Sequence, residues 1–469
     1  MFKKITSTVV VLAIVLSLFT ATTYANTIEI PSTLKVGLKS VQASSLKVTL
    51  QGPYKVNNSS ISNKSLTFTV KSGQIEYNGS LYSEIVITPT SNSSRVLIES
   101  SGKVNTYKGD FSLKVSNGTI LPINLISMQD YLKGVLPYEI SNSYPLEAIK
   151  SQAIVSRTFA MTNLNKHKSE GINLCDTTNC QVYKGESASA SNIEKGVDET
   201  NNKILTYNGK AASVTFGASN GGFTESSLNI WGSNTAYLPA QADAYDNYVW
   251  PENKEYKTSQ IDSMLKAKSH LKSTEKFIKF GKLEKNSSGR VSSMEVIYRD
   301  STGTKSKNLV KEEPRWAFSL RSMRFDVVYS QANDTYTFSG SGYGHGVGMS
   351  QRGMKARAED GHKAENIVLF YFPGTKLETL GSSGNDNENG NENETNEVVV
   401  AKLGSRGNQV KDIQRDLKKL GYSVGSVDGI FNKTTQNAVK SFQSKEGLKS
   451  NGIVYKTTKD LISQRASGN

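Results

Sequence analysis

The sequence predicts a multidomain α+β protein: a β-rich N-terminal portion, a mixed α/β core, a flexible linker and a small three-helix C-terminal module. Three observations predict it. Short runs of alternating apolar and polar residues fill positions 26–118, the period-2 signature of half-buried strands. Beyond Ser127 the apolar spacing lengthens to three and four, the helical period. Between Gly381 and Glu397 the chain is Asn, Glu, Gly, Ser and Asp with almost nothing apolar, a composition that cannot bury a core. A length of 469 residues allows two to four units at roughly 100–200 residues each.

In chain order, Lys3 and Lys4 precede an apolar run from Thr8 to Phe19, and small residues follow to Thr23-Tyr24-Ala25. This reads as a secretory signal peptide over residues 1–25. The apolar run is shorter than the ~20 residues a bilayer span needs, so no stable membrane span is expected after cleavage. Strand-like runs then recur at Leu34–Leu38, Leu46–Leu50, Leu66–Val70, Glu84–Ile87 and Arg95–Ile98, separated by Asn, Ser and Gly clusters.

Ser127 with Asp130 resembles a capping box opening a helix that carries Tyr131, Leu132 and Val135 and should stop near Pro137. Pro145 suits the first turn of a second helix, whose Leu146, Ile149, Ala153, Ala160 and Leu164 form one apolar stripe. Glu139 is thereby expected in a connector between two helices. Ala211–Gly217 reads as a buried strand entering the glycine-rich turn Ser219-Asn220-Gly221-Gly222. Val291–Arg299 and Phe325–Ser339 offer further strands. Ser350 suits an N-cap, with Gly361 as the stop. The expected units are 26–118, the core 119–378, the acidic linker 379–397 and the C-terminal module 398–469.

The formal net charge is +14, and 14 − 2 = +12 without Lys3 and Lys4, which points to a polyanionic partner. The lysines are dispersed, with no basic recognition helix or finger motif, so nucleic acid is not expected. A bacterial wall fits a secreted basic chain better. Two cysteines, Cys175 and Cys180, exclude a disulfide-dense scaffold. They are open to three readings: a small disulfide or free thiols, a zinc site with His167, or a Cys/His nucleophile, for which nothing else in the pattern speaks.

Glu139 in Leu136-Pro137-Tyr138-Glu139-Ile140 is the candidate acid. The run Gly342-Tyr343-Gly344-His345-Gly346-Val347-Gly348-Met349-Ser350-Gln351 is the candidate opposite wall of its cleft. Its glycines allow close backbone approach to a ligand, and its N–H groups suit acetamido or carboxylate groups. His345 is expected to bind or electrostatically support substrate. Ser350, Gln351, Ser219, Asn220, Gln181 and Tyr183 are further candidates for the same groove.

These blocks, with Glu147-Ala148-x-Lys150-x-Gln152-Ala153-x-x-x-Arg157-Thr158 and Phe370-Tyr371-Phe372-Pro373-Gly374-Thr375, resemble the SpoIID/LytB (stage II sporulation protein D) family over residues 120–376. The C-terminal pattern Leu403-Gly404-x-x-Gly407-x-x-Val410-x-x-Ile413-Gln414-x-x-Leu417, with Val427-Asp428-Gly429-Ile430-Phe431, resembles a type 1 peptidoglycan-binding domain. The first resemblance implies a peptidoglycan lytic transglycosylase, in which Glu139 is acid and then base and the sugar's own C6 hydroxyl replaces water. The expected partners are glycan strands, with a wall amidase as the partner in the rival, non-catalytic reading. The expected location is secreted and wall-associated, in wall remodelling that includes sporulation. No cofactor is required. Some family members hold zinc at the cysteines, but Asn179 stands where they have a histidine, which leaves His167, Cys175 and Cys180 one ligand short.

Overall fold

The computed structural model describes residues 28–100, 102–187, 190–380, 399–446, 448 and 450–467. The expected signal peptide and residues 381–397 of the expected linker lie outside them. No helix among the described residues is long and apolar enough to cross a membrane. The chain divides into two compact units, Met1–Gly384 and Asn385–Asn469.

The first unit begins with strands β1 (Leu34–Gly37), β2 (Ser45–Val56), β3 (Ser59–Lys71), β4 (Gln74–Tyr77), β5 (Ser80–Tyr82), β6 (Glu84–Pro89), β7 (Arg95–Ser100), β8 (Lys103–Tyr107), β9 (Asp110–Ser116) and β10 (Thr119–Ile126). With β11 (Leu174–Cys175) they form one sheet in the order β11-β1-β10-β9-β6-β2-β3-β4-β5, and the β7–β8 hairpin branches from β2. Alternation is clean: Leu46, Val48 and Leu50 of β2 point inward while Ser45, Lys47 and Gln51 face water.

Helices α1 (Met128–Glu139) and α2 (Leu146–Thr162) follow, then α3 (Ser191–Glu199), α4 (Ser227–Trp231), α5 (Thr258–Ala267), α6 (Glu313–Ala317), α7 (Gln351–Glu359) and α8 (Ala364–Tyr371). The expected boundary at 118 does not divide the structure. β10 pairs with β1 and β9, and a single apolar cluster runs from Ile30 on the N-terminal side to Phe372 beyond α8. The inward side chains of the strands and the buried residues of α1 and α2 belong to that one cluster.

α2 is not the one-sided helix the sequence suggests. Residues Ser151 to Thr158 are all buried, because α3, α7, α8 and the strand Lys203–Tyr207 surround it. Its buried Arg157 donates from Nη1 and Nη2 to Gln129 Oε1 at 2.9 Å and to the Lys203 and Val197 carbonyls. The expected strand Ala211–Gly217 is broken into Lys210–Ala211 and Phe216–Gly217, which join different sheets.

Residues 250–338 hold a second core of their own inside this unit, built on Trp250, Phe277, Met294, Val296, Phe318 and Phe338. The expected strands appear here as Val291–Asp300 and as the hairpin Phe325–Ser330 with Thr335–Gly340. The separate core itself is not legible in the sequence pattern.

The second unit contains α9 (Asn408–Lys419), α10 (Lys433–Lys445) and α11 (Lys456–Ser467), the three expected helices, around Val410, Ile413, Leu417, Val439, Phe442 and Ile462. It is built on a repeat. Buried Gln414 accepts from Gly429 N and donates to the Ile430 carbonyl, and buried Gln443 does the same at Gly452 and Ile453. Both glycines have positive φ, which those turns require.

Candidate functional site

Ser127 caps α1, accepting from Asp130 N at 3.1 Å, as its spacing with Asp130 suggests. The helix does not stop at Pro137. It continues to Glu139, and Ile140 N closes the last turn on Leu136 O at 2.9 Å. A proline so late in the helix removes only one main-chain bond, and Leu132, Val135, Leu136 and Ile140 are buried against the core, which outweighs that loss. Glu139 is therefore the final residue of a rigid helix and not part of a connector.

That placement shapes its acidity. Burial pushes the Glu139 pKa above the usual carboxylate range, partly offset by a hydrogen bond from Gln351. The carbonyl-rich C-terminal end of α1 works in the same direction as burial, since it disfavours an anion. Gln351 Nε2 donates to Glu139 Oε2 at 3.3 Å, joining the two separated stretches of the sequence.

Two clefts flank this bond. One, of about 370 Å³, is lined by Glu139, Phe159, Asn163, Lys166, Gln181 and Phe216, among others. The other, of about 450 Å³, is lined by Gln351, Arg352, Lys355, Tyr144, Tyr245 and Tyr248, among others. Glu139 lines the first and Gln351 the second, so their hydrogen bond links the two walls. Of the other carboxylates lining them, Glu359 is paired with Lys355 and Asp246 is enclosed by hydrogen-bond donors.

Asp246 and Asp243 are site residues that sequence reasoning missed. Asp246 accepts from Ser219 Oγ at 2.7 Å, Asn220 N at 2.5 Å, Ser350 Oγ at 2.6 Å and Gly221 N at 3.3 Å. Asp243 accepts from Asn220 Nδ2, the Tyr371 hydroxyl and Arg357, all within 2.8 Å. The candidates Ser219, Asn220 and Ser350 are accordingly buried and spend their polar groups inside the protein. They position Gln351, since Ser350 is the N-cap of α7 through Gly353 N. The only signal for the two aspartates is their place in the aromatic-rich Asp243-Ala244-Tyr245-Asp246-Asn247-Tyr248 stretch.

The glycines of the His345 run also serve the interior. A Cβ on Gly346 would lie 2.0 Å from Arg290 Nη2, and one on Gly348 would lie 2.2 Å from Thr215 O. Both have positive φ. Their close approach is to protein and not to a ligand. His345 is not among the residues lining the two clefts; it lies behind the wall, with Nε2 3.5 Å from Thr215 Oγ1. Its Nδ1 accepts from Val347 N at 2.9 Å, and burial aided by Arg315 and Arg290 pushes its pKa down to about 4. It is neutral at ordinary pH.

Gln181 lines the Glu139 cleft, with Oε1 accepting from Tyr131. Tyr183 does not line it: fully buried, it donates to Asn124 Oδ1 at 2.7 Å and packs on Tyr131 and Tyr107.

His167, Cys175 and Cys180 converge, their donor atoms all within 4.8 Å. Both thiols are free and buried, and burial pushes that of Cys180 up to about 11. His167 turns Nδ1 to Glu170 Oε1 at 2.7 Å and Nε2 to Cys180 Sγ at 3.3 Å. This orientation, with a carboxylate behind the ring, is what a metal-ligating histidine needs. The three donors fit three of zinc's four positions.

Comparison with known proteins agrees with this architecture. Residues 116–207 match the stage II sporulation protein (SpoIID) family model, 406–462 a peptidoglycan binding domain and 235–348 a domain of unknown function that spans the second core. The chain is 33% identical over 288 residues to the amidase enhancer of Bacillus subtilis, covering 52% of this chain and 40% of that protein. It is 28% identical over 269 residues to stage II sporulation protein D of Bacillus subtilis, covering 54% of this chain and 74% of that protein. It is 34% identical over 68 residues to a spore cortex-lytic enzyme of Oceanobacillus iheyensis, covering 14% of this chain and 25% of that enzyme. The chain thus carries a SpoIID domain and a peptidoglycan-binding domain, and it spans less than half the length of the amidase enhancer it matches.

Proposed function

We propose that the protein is a secreted, wall-associated peptidoglycan lytic transglycosylase, with Glu139 as its acid and base. One observation carries this reading: a single carboxyl group, its pKa raised by burial, lines one cleft and accepts a hydrogen bond from Gln351, which lines the other.

Glu139 gives its proton to the glycosidic oxygen between MurNAc and GlcNAc, and the C1–O bond breaks. The resulting carboxylate, held by Gln351, takes the proton of the MurNAc C6 hydroxyl as its oxygen bonds to C1. The products are a free GlcNAc 4-hydroxyl and a 1,6-anhydroMurNAc end; no water is consumed and Glu139 is reprotonated. A hydrolase would need a second carboxylate to activate water or form the glycosyl-enzyme, and Asp246 and Glu359 are engaged elsewhere. A zinc ion held by His167, Cys175 and Cys180 would have a structural part, fixing the Cys180–Gln181 wall of the cleft; no step uses it. The setting is wall remodelling, with sporulation suggested by the relatives' names.

The test is to incubate the full chain with purified glycan strands, with and without stem peptides, and weigh the products. Anhydro ends that disappear in Glu139→Gln support the reading, whereas reducing ends mean hydrolysis. A second reading, a glycan-binding protein that stimulates a separate amidase, is favoured by the similarity to the amidase enhancer. Absence of any cleavage together with faster release of stem peptides by an added amidase would establish it instead.

A further inference from the structure

We propose that the cleft lined by Gln351 is a carboxylate-binding subsite, in which Arg352 takes an acidic group of the same glycan strand that Glu139 cuts. This rests on the glycan reading above and assigns the second cleft a ligand chemistry.

The charge balance of that cleft points to the occupant. Among the described residues, two carboxylates and two cations line it: Asp246, Glu359, Arg352 and Lys355. Asp246 is buried and turned to Ser219, Ser350 and main-chain N–H groups. Glu359 and Lys355 are paired with each other. Arg352 is exposed, and among the described residues its guanidinium is partnered by the Tyr248 ring, at 4.2 Å, and by no carboxylate. The charge left over in the cleft is therefore one guanidinium. Its paired N–H donors match the two oxygens of a carboxylate.

The guanidinium is also held in place. Arg352 N donates to Ala218 O at 3.1 Å, which fixes the start of its side chain. The ring beneath it is anchored at three points. Tyr248 N donates to Asp246 Oδ1 at 3.4 Å, Tyr248 O accepts from Gly342 N at 2.9 Å, and the hydroxyl accepts from Arg321 Nη1 at 3.1 Å. A cation over a ring face keeps the N–H groups at its edge for another partner. Such a support lowers the ordering cost of binding.

The subsite is tied to the acid through a single turn of helix. Arg352 directly follows Gln351 in α7, and Gln351 donates to Glu139 at 3.3 Å. Tyr144 and Tyr245 add half-buried aromatic surface to the same cleft, suited to the apolar C–H faces of a pyranose ring. A peptidoglycan strand carries a carboxylate from one of two sources. A denuded MurNAc exposes its lactyl group, and a substituted one carries the carboxylates of its stem peptide.

The assay is equilibrium binding to the full-length Glu139→Gln protein, in which no strand is cut. Three probes of equal sugar number are compared: a GlcNAc oligomer, which has no carboxylate, a denuded MurNAc–GlcNAc strand, and the same strand with stem peptides. A carboxylate-bearing strand should bind about tenfold tighter than the GlcNAc oligomer, equivalent to about 1.4 kcal/mol. Arg352→Gln should remove that advantage while the GlcNAc oligomer still binds, and Arg352→Lys should restore part of it. An advantage of the denuded strand identifies the lactyl group as the ligand; an advantage of the peptide-bearing strand alone identifies the stem peptide. In the otherwise wild-type protein, Arg352→Gln should raise KM for the preferred strand more than it lowers kcat. The C-terminal module is the same in every variant, so its binding cancels in the comparison. The exposed position of Arg352 predicts unchanged melting temperatures. Equal affinity for all three probes, or an advantage that persists in Arg352→Gln, overturns the subsite and leaves the glycan reading intact. No binding of any probe defeats both.

Discussion

Asp246→Ala is the most informative substitution away from Glu139. The carboxylate collects two main-chain N–H groups, of Asn220 and Gly221, and two hydroxyls, of Ser219 and Ser350, in a site where all of these residues are buried. The hydroxyls can turn towards other acceptors, but the N–H groups cannot. Each buried donor left without a partner costs about 1–3 kcal/mol, and the missing carboxylate leaves a small void worth about 1 kcal/mol. Relief of the buried charge offsets part of this. The expected net loss is about 4 kcal/mol, a large fraction of the roughly 5–15 kcal/mol typical of a folded domain. Asp246→Asn keeps one oxygen in place and should cost about 1–2 kcal/mol. The measurement is the urea midpoint at unchanged slope. The second expectation is functional: with Ser350 released, Gln351 is no longer held towards Glu139, so Asp246→Ala should lower kcat on glycan strands more than it raises KM. A stability change under about 1 kcal/mol or full activity in Asp246→Ala refutes the view that Asp246 organises the site.

Four further outcomes are expected. Glu139 holds its proton above the ordinary carboxylate value, so folded protein retains a proton that the unfolded chain has released; stability falls as pH rises through that window, and activity falls as pH passes the raised value. Glu139→Gln should flatten that slope in urea titrations and be more stable than wild type at neutral pH. His345 is depressed from 6.5 to about 4, so the unfolded chain binds more protons in between and stability is lost as pH falls from about 6.5 to about 4; His345→Asn should remove that loss. Native mass spectrometry after zinc addition should show one bound ion, absent in Cys180→Ser, with a lower melting temperature after chelation. A chain ending at residue 380 should lose binding to intact walls but still act on soluble glycan strands, as the two units are separately compact.

Local features of the site were legible because local chemistry makes them. Ser127 and Ser350 are N-caps since a side-chain oxygen there reaches main-chain N–H groups three residues on. The alternation of β2 follows from one buried face. Pro137 misled because its cost is set by how much packing opposes it, and the partners of α1, among them α2 and α3, come from later in the chain. The glycine run signals close approach without saying to what, and the answer is Arg290 and Thr215. Ser219, Asn220, Ser350 and Tyr183 look like groove residues because polar side chains near a motif often are; their partners Asp246, Asp243 and Asn124 lie tens of positions away or more.

The sequence by itself determined the N-terminal run of strands, the caps of α1 and α7, the resemblance to the SpoIID family with a peptidoglycan-binding module, and Glu139 as the acid candidate, because these rest on residue type and short spacing. Only the tertiary structure decided that Glu139 ends a helix and meets Gln351, that His167 meets the two cysteines, and that Ser219, Asn220 and Ser350 gather on Asp246. Each depends on contacts between distant segments, and burial and hydrogen-bond partners are properties of the packed chain.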